Sequence, residues 1–249
     1  MSNEVNAKKI MDFLAPRMGA RFKTWLAICA HCGLCADTCH HYISSGNDPR
    51  MIPAHKVRYL REILKKKGKV DKDYLRRVYE TVYYECNMCR RCALFCPFGI
   101  DIALMISLLR AMLLDQGIAP EGLLKAIENY KEFGNQMAVS REDWLETLEW
   151  CEEEVGEELA GLKIPVDKKG AEIMYTVNAR EPMFYPQDLM EVAKIFHVAG
   201  EDWTLPSDSG WDDTNLAMFC GDSDTARIIV ENTFKRAEEL EVKKVAITE

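Results

Sequence analysis

The sequence lacks the long apolar run that a bilayer requires. Its most apolar stretch, Ile100–Leu114, is interrupted by Asp101 and Arg110 and falls short of the roughly 20 residues that span a membrane. No basic segment followed by an apolar core heads the chain, so no secretory signal is expected. Neither a G-x-G-x-x-G run nor a P-loop occurs, which argues against a nucleotide or dinucleotide held by the chain itself. Basic residues are the minority, 32 Lys and Arg against 40 Asp and Glu; the resulting net charge of −8 argues against general nucleic-acid binding. No Ser–His–Asp constellation stands out. With 249 residues, 48% of them hydrophobic, the chain still has material for one large core or two smaller ones.

What the sequence does have is patterned cysteine. Of its ten cysteines, eight fall in two runs: Cys29, Cys32, Cys35, Cys39, and Cys86, Cys89, Cys92, Cys96. Each run reads C-x2-C-x2-C-x3-C, and Pro97 follows the second. Three thiolates at i, i+3 and i+6 in a tight loop wrap three corners of a cubane iron–sulfur cluster. The fourth does not turn back easily to the same cluster and ligates the other. The spacing therefore assigns one 4Fe–4S cluster to Cys29, Cys32, Cys35 and Cys96, and a second to Cys86, Cys89, Cys92 and Cys39. Structural zinc usually takes two separated C-x2–4-C pairs, and disulfides need an oxidising compartment; both fit the pattern worse. His31 lies inside the first run, and His40 and His41 follow it. All eight ligand positions are already filled by thiolates, so hydrogen bonding to cluster sulfur or surface exposure is the default for these histidines. Arg90 and Arg91 lie inside the second run. Positive charge there would raise a cluster's potential, with a surface salt bridge as the competing reading.

Taken in order, the chain opens with helical spacing at Ile10, Phe13 and Leu14, then Phe22, Trp25, Leu26 and Ile28 before the first cysteine. Between the runs, one helix is expected from Pro53 to Lys66. A second should be capped by Asp71 or Asp73, with Tyr74, Leu75, Val78, Tyr79 and Val82 on its apolar face. Lys65, Lys66, Lys67 and Lys69 read as a solvated helix end. Ile100–Leu114 predicts a central apolar helix. Pro120 opens another helix, which Gly134 closes. Ser140 caps the next, whose stripe is Trp144, Leu145, Leu148, Cys151 and Val155 and whose other face is acidic. Cys151 reads as a small buried apolar residue. From residue 163 the pattern changes. Strands are expected at Ala171–Val177, Leu216–Cys220 and Lys244–Thr248. They alternate with helices at Pro186–Ala199 and along Ala226, Ile229, Val230, Phe234, Ala237 and Leu240, which implies a parallel sheet. A chain that stops on a strand is expected to continue in a longer polypeptide or to be completed by another chain.

Because the segment between the runs is helical, residues 20–115 resemble the α-helical ferredoxin domain of succinate-dehydrogenase-like and heterodisulfide-reductase-like iron–sulfur subunits. With the following Phe219-Cys220-Gly221-Asp222, the chain is similar to the cysteine-rich CCG-domain family, that of the D subunit of heterodisulfide reductase and its relatives. Residues 171–249, with Met218–Asp222 and Val245–Glu249, most resemble the K subunit of the Dsr membrane complex of sulfur-metabolising prokaryotes. The expected fold class is thus mainly α with an α/β C-terminal part. An α-helical ferredoxin domain at 1–117 is followed by a helical connector at 118–162, and the start of a Rossmann-like CCG domain occupies 163–249.

The resemblance implies electron transfer from a quinol-oxidising membrane cytochrome b subunit, through two cubanes, towards a disulfide or the trisulfide on a small DsrC-type carrier. It implies a cytoplasmic protein held at the membrane through its partner. It also makes Cys220 a candidate ligand of a noncubane 4Fe–4S cluster in the complete protein. Two departures stand against that role: Phe219 replaces the first cysteine of a paired motif, and the later cysteines would fall beyond Glu249. The alternative for Cys220 is a buried, unreactive thiol. Two further readings compete with the whole. One is a relay for a flavin dehydrogenase, distinguished by a flavoprotein partner. The other is a structural module, distinguished by redox-silent metal.

Overall fold

The computed structural model describes residues 5–248; Glu249 and the first four residues of the first expected domain lie outside the described residues. The chain divides into two compact units. The first comprises the described residues up to Pro120 together with Met218–Asp222, and the second comprises Glu121–Ala217 and the chain from Ser223 onward.

The first unit is helical. Its main helices are α1 (Ala7–Arg17), α2 (Ala20–Ile28), α3 (Arg58–Lys65), α4 (Lys72–Tyr84) and α5 (Ile102–Asp115). Side-chain carboxylates and an amide set three of their starts. Asn6 accepts the Lys9 N–H at 3.0 Å, Asp71 the Tyr74 N–H at 2.7 Å, and Asp101 the Leu104 N–H at 3.0 Å. Helix α5 is apolar on most faces because other helices surround it. Ile106, Leu109, Met112 and Leu113 are fully buried against Ile10, Leu14, Leu60, Ile63, Val78 and Val82. Each such side chain contributes roughly 1.5–3 kcal/mol on burial. The helix expected from Pro53 to Lys66 is interrupted. Pro53–Lys56 forms one short turn, Val57 unwinds with ψ near −4°, and α3 resumes at Arg58.

The second unit packs helices on a small sheet. Its helices are α6 (Glu121–Phe133), α7 (Arg141–Glu158), α8 (Pro186–Ala199) and α9 (Ser223–Glu239). Its strands are β1 (Ile173–Tyr175), β2 (Trp203–Thr204) and β3 (Lys244–Ala246), all parallel in the order β2-β1-β3. The Ser140 cap is formed, its Oγ accepting the Asp143 N–H at 3.1 Å. The stripe of Trp144, Leu148, Cys151 and Val155 is buried with Tyr175, Val177, Leu189, Trp203 and Trp211, so the helix read as part of a connector shares the core of the sheet. Trp144 stacks on Trp211 with centroids 4.3 Å apart, and its Nε1 donates to the Pro206 carbonyl at 2.9 Å.

The structure corrects three expectations. Leu216–Cys220 is a short helix, not a strand. Five residues of this composition fit either period. Here the Leu216 N–H finds the Thr214 hydroxyl at 3.3 Å, and Gly221, at φ +94°, follows the last turn. The second strand of the sheet is instead Trp203–Thr204, too short to show any alternation. In α9, Val230 and Phe234 are exposed, because the buried stripe runs through Thr225, Ile229, Thr233 and Ala237, one residue per turn.

One buried carboxylate organises the second unit. Asp212 accepts N–H donors from Gln136 (2.6 Å), Ala179 (3.0 Å) and Thr214 (3.2 Å). Burial pushes its carboxyl up from 3.8 to about 7, against the opposing pull of those donors. An acid whose folded value is raised binds its proton more tightly when folded. Its stabilising contribution is therefore complete below about pH 4 and is lost as the pH rises to about 7. Unfolding free energies from urea titrations followed by tryptophan fluorescence should fall across this window with a slope approaching roughly 1.4 kcal/mol per pH unit. Asp212→Asn should flatten that component; an unchanged slope in the variant would refute the assignment.

Candidate cluster-binding site

Both cysteine runs fold into the same loop. His31 and Gly33 take positive φ, 53° and 89°, and the equivalent residues Met88 and Arg90 take 57° and 61°. Alternating left-handed residues of this kind curl the backbone so that N–H groups line a concavity suited to anions and cluster sulfur. Gly33 meets this demand without strain, whereas Arg90 costs about 1–2 kcal/mol. Each loop runs into a short helical turn, Leu34–Asp37 or Arg91–Leu94, closed by matching bonds. Ala36 donates to Gly33 at 2.7 Å and Ala93 to Arg90 at 2.9 Å. Cys39 then donates to Ala36 at 2.9 Å and Cys96 to Ala93 at 3.2 Å.

The turn carries the fourth cysteine of each run away from its own loop. One cavity, of about 270 Å³, is lined by Cys29, Cys32, Cys35 and Cys96. Another, closed to about 20 Å³, is lined by Cys39, Cys86, Cys89 and Cys92. Charge interactions follow the same division. Cys35 feels Cys29 and Cys32; Cys86 feels Cys39; and Cys92 feels Cys86, Cys89 and Cys39. Cys92 also feels Cys35, so the two groups of thiols meet there. Burial pushes all three thiols up, Cys92 to about 12, and neighbouring thiols add to the rise. Metal binding takes thiols in their deprotonated form, so a bound cluster would act against this rise.

The donor chemistry fits iron–sulfur clusters. Among the described residues, no three His, Cys, Asp or Glu side chains gather as a single metal ion requires. The thiols stand around a volume, as a polynuclear cluster needs. The Ala54 backbone bonds to the Cys35 thiol and the Met88 N–H donates to Cys86 Sγ at 3.4 Å, the kind of contact that stabilises cluster-bound sulfur. His55 lines the first cavity and His41 the second, and each has a buried Nε2 with no hydrogen-bond partner among the described residues. His31 also lines the first cavity and His40 the second. Arg90 is exposed and pairs with Asp101 at 2.6 Å. Arg91 is exposed too.

Cys220 is fully buried on the last turn of the Leu216–Cys220 helix, within the first unit rather than at a strand end. Tyr83 Oη donates to its carbonyl at 2.8 Å, and Arg110 Nη1 donates to the Phe219 carbonyl at 2.8 Å. Cys151 is fully buried in the core of the second unit, and its thiol is pushed up to about 11 by burial. The sequence reading missed Lys56, Arg110 and His55. Arg110 had a visible signal, a charge in the middle of an apolar helix; Lys56 and His55 had none.

Two four-thiol groups on a helical frame, in a chain that also carries a small parallel sheet, are the arrangement of a ferredoxin-like domain. The profile of the 4Fe-4S dicluster domain matches residues 25–100. Two archaeal proteins are similar to the chain beyond that domain. The "Hdr-like menaquinol oxidoreductase iron-sulfur subunit 2" of Archaeoglobus fulgidus is 31% identical over 175 residues, which cover 64% of this chain and 31% of that protein. The "Hdr-like menaquinol oxidoreductase iron-sulfur subunit" of Archaeoglobus profundus is 27% identical over 249 residues, covering 89% of this chain and 43% of that protein. The chain thus spans less than half the length of these relatives. No solved structure matches it.

Proposed function

We propose that this chain is the dicluster electron-relay part of an Hdr-like quinol oxidoreductase. Cys29, Cys32, Cys35 and Cys96 hold one 4Fe–4S cluster, and Cys39, Cys86, Cys89 and Cys92 hold the other. When bound, such clusters store and pass single electrons. The observation that carries the reading is the exchange of fourth cysteines between two cavities, each lined by one complete set of thiols. The chain's own residues exclude water and fix the spacing. Ile100, Ile102 and Met105 wall the first cavity, and Ile102 and Ala103 reach the second, so α5 lies along both.

The relatives' names support menaquinol as the electron source, supplied through a membrane partner such as a cytochrome b subunit. No described helix is long and apolar enough to cross a membrane, which is consistent with attachment through that partner. On the acceptor side we propose a disulfide-type sulfur substrate, with the trisulfide on a DsrC-type carrier as the specific form in a Dsr-K-like complex. A noncubane cluster of CCG type would need thiolates beyond those of this chain, since only Cys151 and Cys220 remain outside the two runs. The Rossmann-like CCG assignment of the second unit draws on its parallel sheet.

Anaerobically purified protein should contain about eight iron and eight labile sulfide per chain and give interacting reduced-cubane EPR signals with dithionite. Zinc, or iron that does not change on reduction, would replace the relay with a structural module. In the native complex, a menaquinol analogue should reduce the same signals and a disulfide-type acceptor should reoxidise them. Reoxidation by a flavin substrate instead would favour the dehydrogenase relay.

A further inference from the structure

Two cations are buried beside one of the two thiol groups and none beside the other among the described residues. Lys56 and Arg110 are each 2% exposed. Lys56 lines the second cavity, its Nζ donates to the Glu85 carbonyl, and its charge acts on Cys86 and His41. Arg110 donates through Nε to the Val82 carbonyl (2.8 Å), through Nη2 to that of Cys86 (2.5 Å) and through Nη1 to that of Phe219 (2.8 Å). The titratable groups it faces are Cys86, Tyr83 and Cys220. No carboxylate of the described residues pairs with either cation. At the first cavity the lining cations, Arg58 and Arg61, are exposed, where solvent and salt screen them.

Lys56 is met by a backbone carbonyl, and Arg110 by three carbonyls and the faces of Tyr83 and Phe219, 5.1 and 5.6 Å from the ring centroids; dipoles and ring faces compensate a buried full charge only in part. The group that would balance it at Cys86 is an anionic one, and a thiolate-bound cluster gains one further negative charge on reduction. Unscreened positive charge therefore favours the reduced form on that side.

We propose that Lys56 and Arg110 set the direction of electron flow, holding the electron preferentially at the Cys39, Cys86, Cys89 and Cys92 site. This rests on the dicluster reading above. An electron that passes from the first site to the second oxidises the first by one equivalent and reduces the second by one, with no bond made or broken. Arg110 also binds the Phe219 carbonyl, so the side on which the electron settles is the side that carries the Phe219–Gly221 turn.

The test is an EPR-monitored redox titration of the full chain with its iron in place. The wild type should give two resolved midpoints. Cys39→Ser removes a ligand from the second set and should abolish the higher midpoint; loss of the lower one instead overturns the proposal. Lys56→Met should move the higher midpoint downward and leave the lower one in place, while Arg91→Gln, an exposed charge, should move neither comparably. An unmoved higher midpoint in Lys56→Met with full iron content also overturns it. Because Arg110 holds three backbone segments, Lys56 is the variant that removes charge with the least risk to folding. Iron analysis separates the two levels. A wild-type chain without iron defeats the dicluster reading itself, whereas full iron with the midpoints reversed defeats only this inference.

Discussion

A chain carrying both Cys32→Ser and Cys96→Ser should keep about half of its iron, close to four atoms, and one reduced-cubane signal. These two residues belong to different runs, 64 positions apart in sequence, yet line the same cavity. In the proposed assignment, losing both takes two ligands from one site and none from the other. The matched double variant Cys32→Ser with Cys39→Ser stays within one run but takes one ligand from each cavity, so both sites should be damaged and the iron should fall further. Iron and sulfide analysis of the two variants side by side decides the matter. If the same-run pair retains half of the iron and the cross-run pair does not, ligation is confined within runs and the exchange of fourth cysteines is wrong. The prediction depends on where Cys39 and Cys96 point after their helical turns, which is why it discriminates where single substitutions do not.

Replacing Gly221 with alanine should cost on the order of 3–5 kcal/mol, among the larger effects expected of a single substitution. Its φ of +94° disfavours any side chain, which accounts for about 1–2 kcal/mol. The rest is steric. An added Cβ would lie 2.5 Å from the Ala111 nitrogen and 2.7 Å from the Arg110 carbonyl carbon. Both are backbone atoms of α5, held by helical hydrogen bonds, and cannot yield as a flexible side chain would. The turn must lift, and the bonds from Arg110 to Phe219 and from Tyr83 to Cys220 lengthen with it. Urea midpoints of the holo-protein and proteolysis near residue 220 would register the change. Gly156→Ala is the control. It sits in α7 with nothing within 4 Å of the added Cβ, and it should stabilise by up to about 1 kcal/mol. Equal behaviour of the two variants would show that Gly221 is not under the close approach described.

Much of the local structure was legible because its causes are local. Asp71 and Ser140 cap helices through hydrogen bonds to N–H groups three residues on. The stripes on α4, α7 and α8 follow the helical period over 13 or more residues each. Short elements were not legible. Trp203–Thr204 has two residues and Leu216–Cys220 five, and neither length separates a period of 2 from one of 3.6. The positive φ shared by His31 and Met88, and by Gly33 and Arg90, was hidden because three of those four residues are not glycine. Val230 and Phe234 lay close enough to the buried stripe of α9 to be read as part of it, and only the actual packing shows them exposed.

By itself the sequence determined the chemistry of the site: eight thiols in two C-x2-C-x2-C-x3-C runs, a spacing that follows from chain geometry within eleven residues. It also determined the helical frame around them. Tertiary structure alone decided which residues surround those thiols. Arg110 reaches the carbonyls of Val82, Cys86 and Phe219 across 28, 24 and 109 residues of chain, and Lys56 reaches Glu85 across 29. A charge becomes effective when water is removed from it and few opposite charges remain nearby. Both conditions depend on segments distant in sequence: the apolar run around Arg110 marks its burial but not its partners, and no local pattern sets Lys56 apart from the exposed arginines inside the second run.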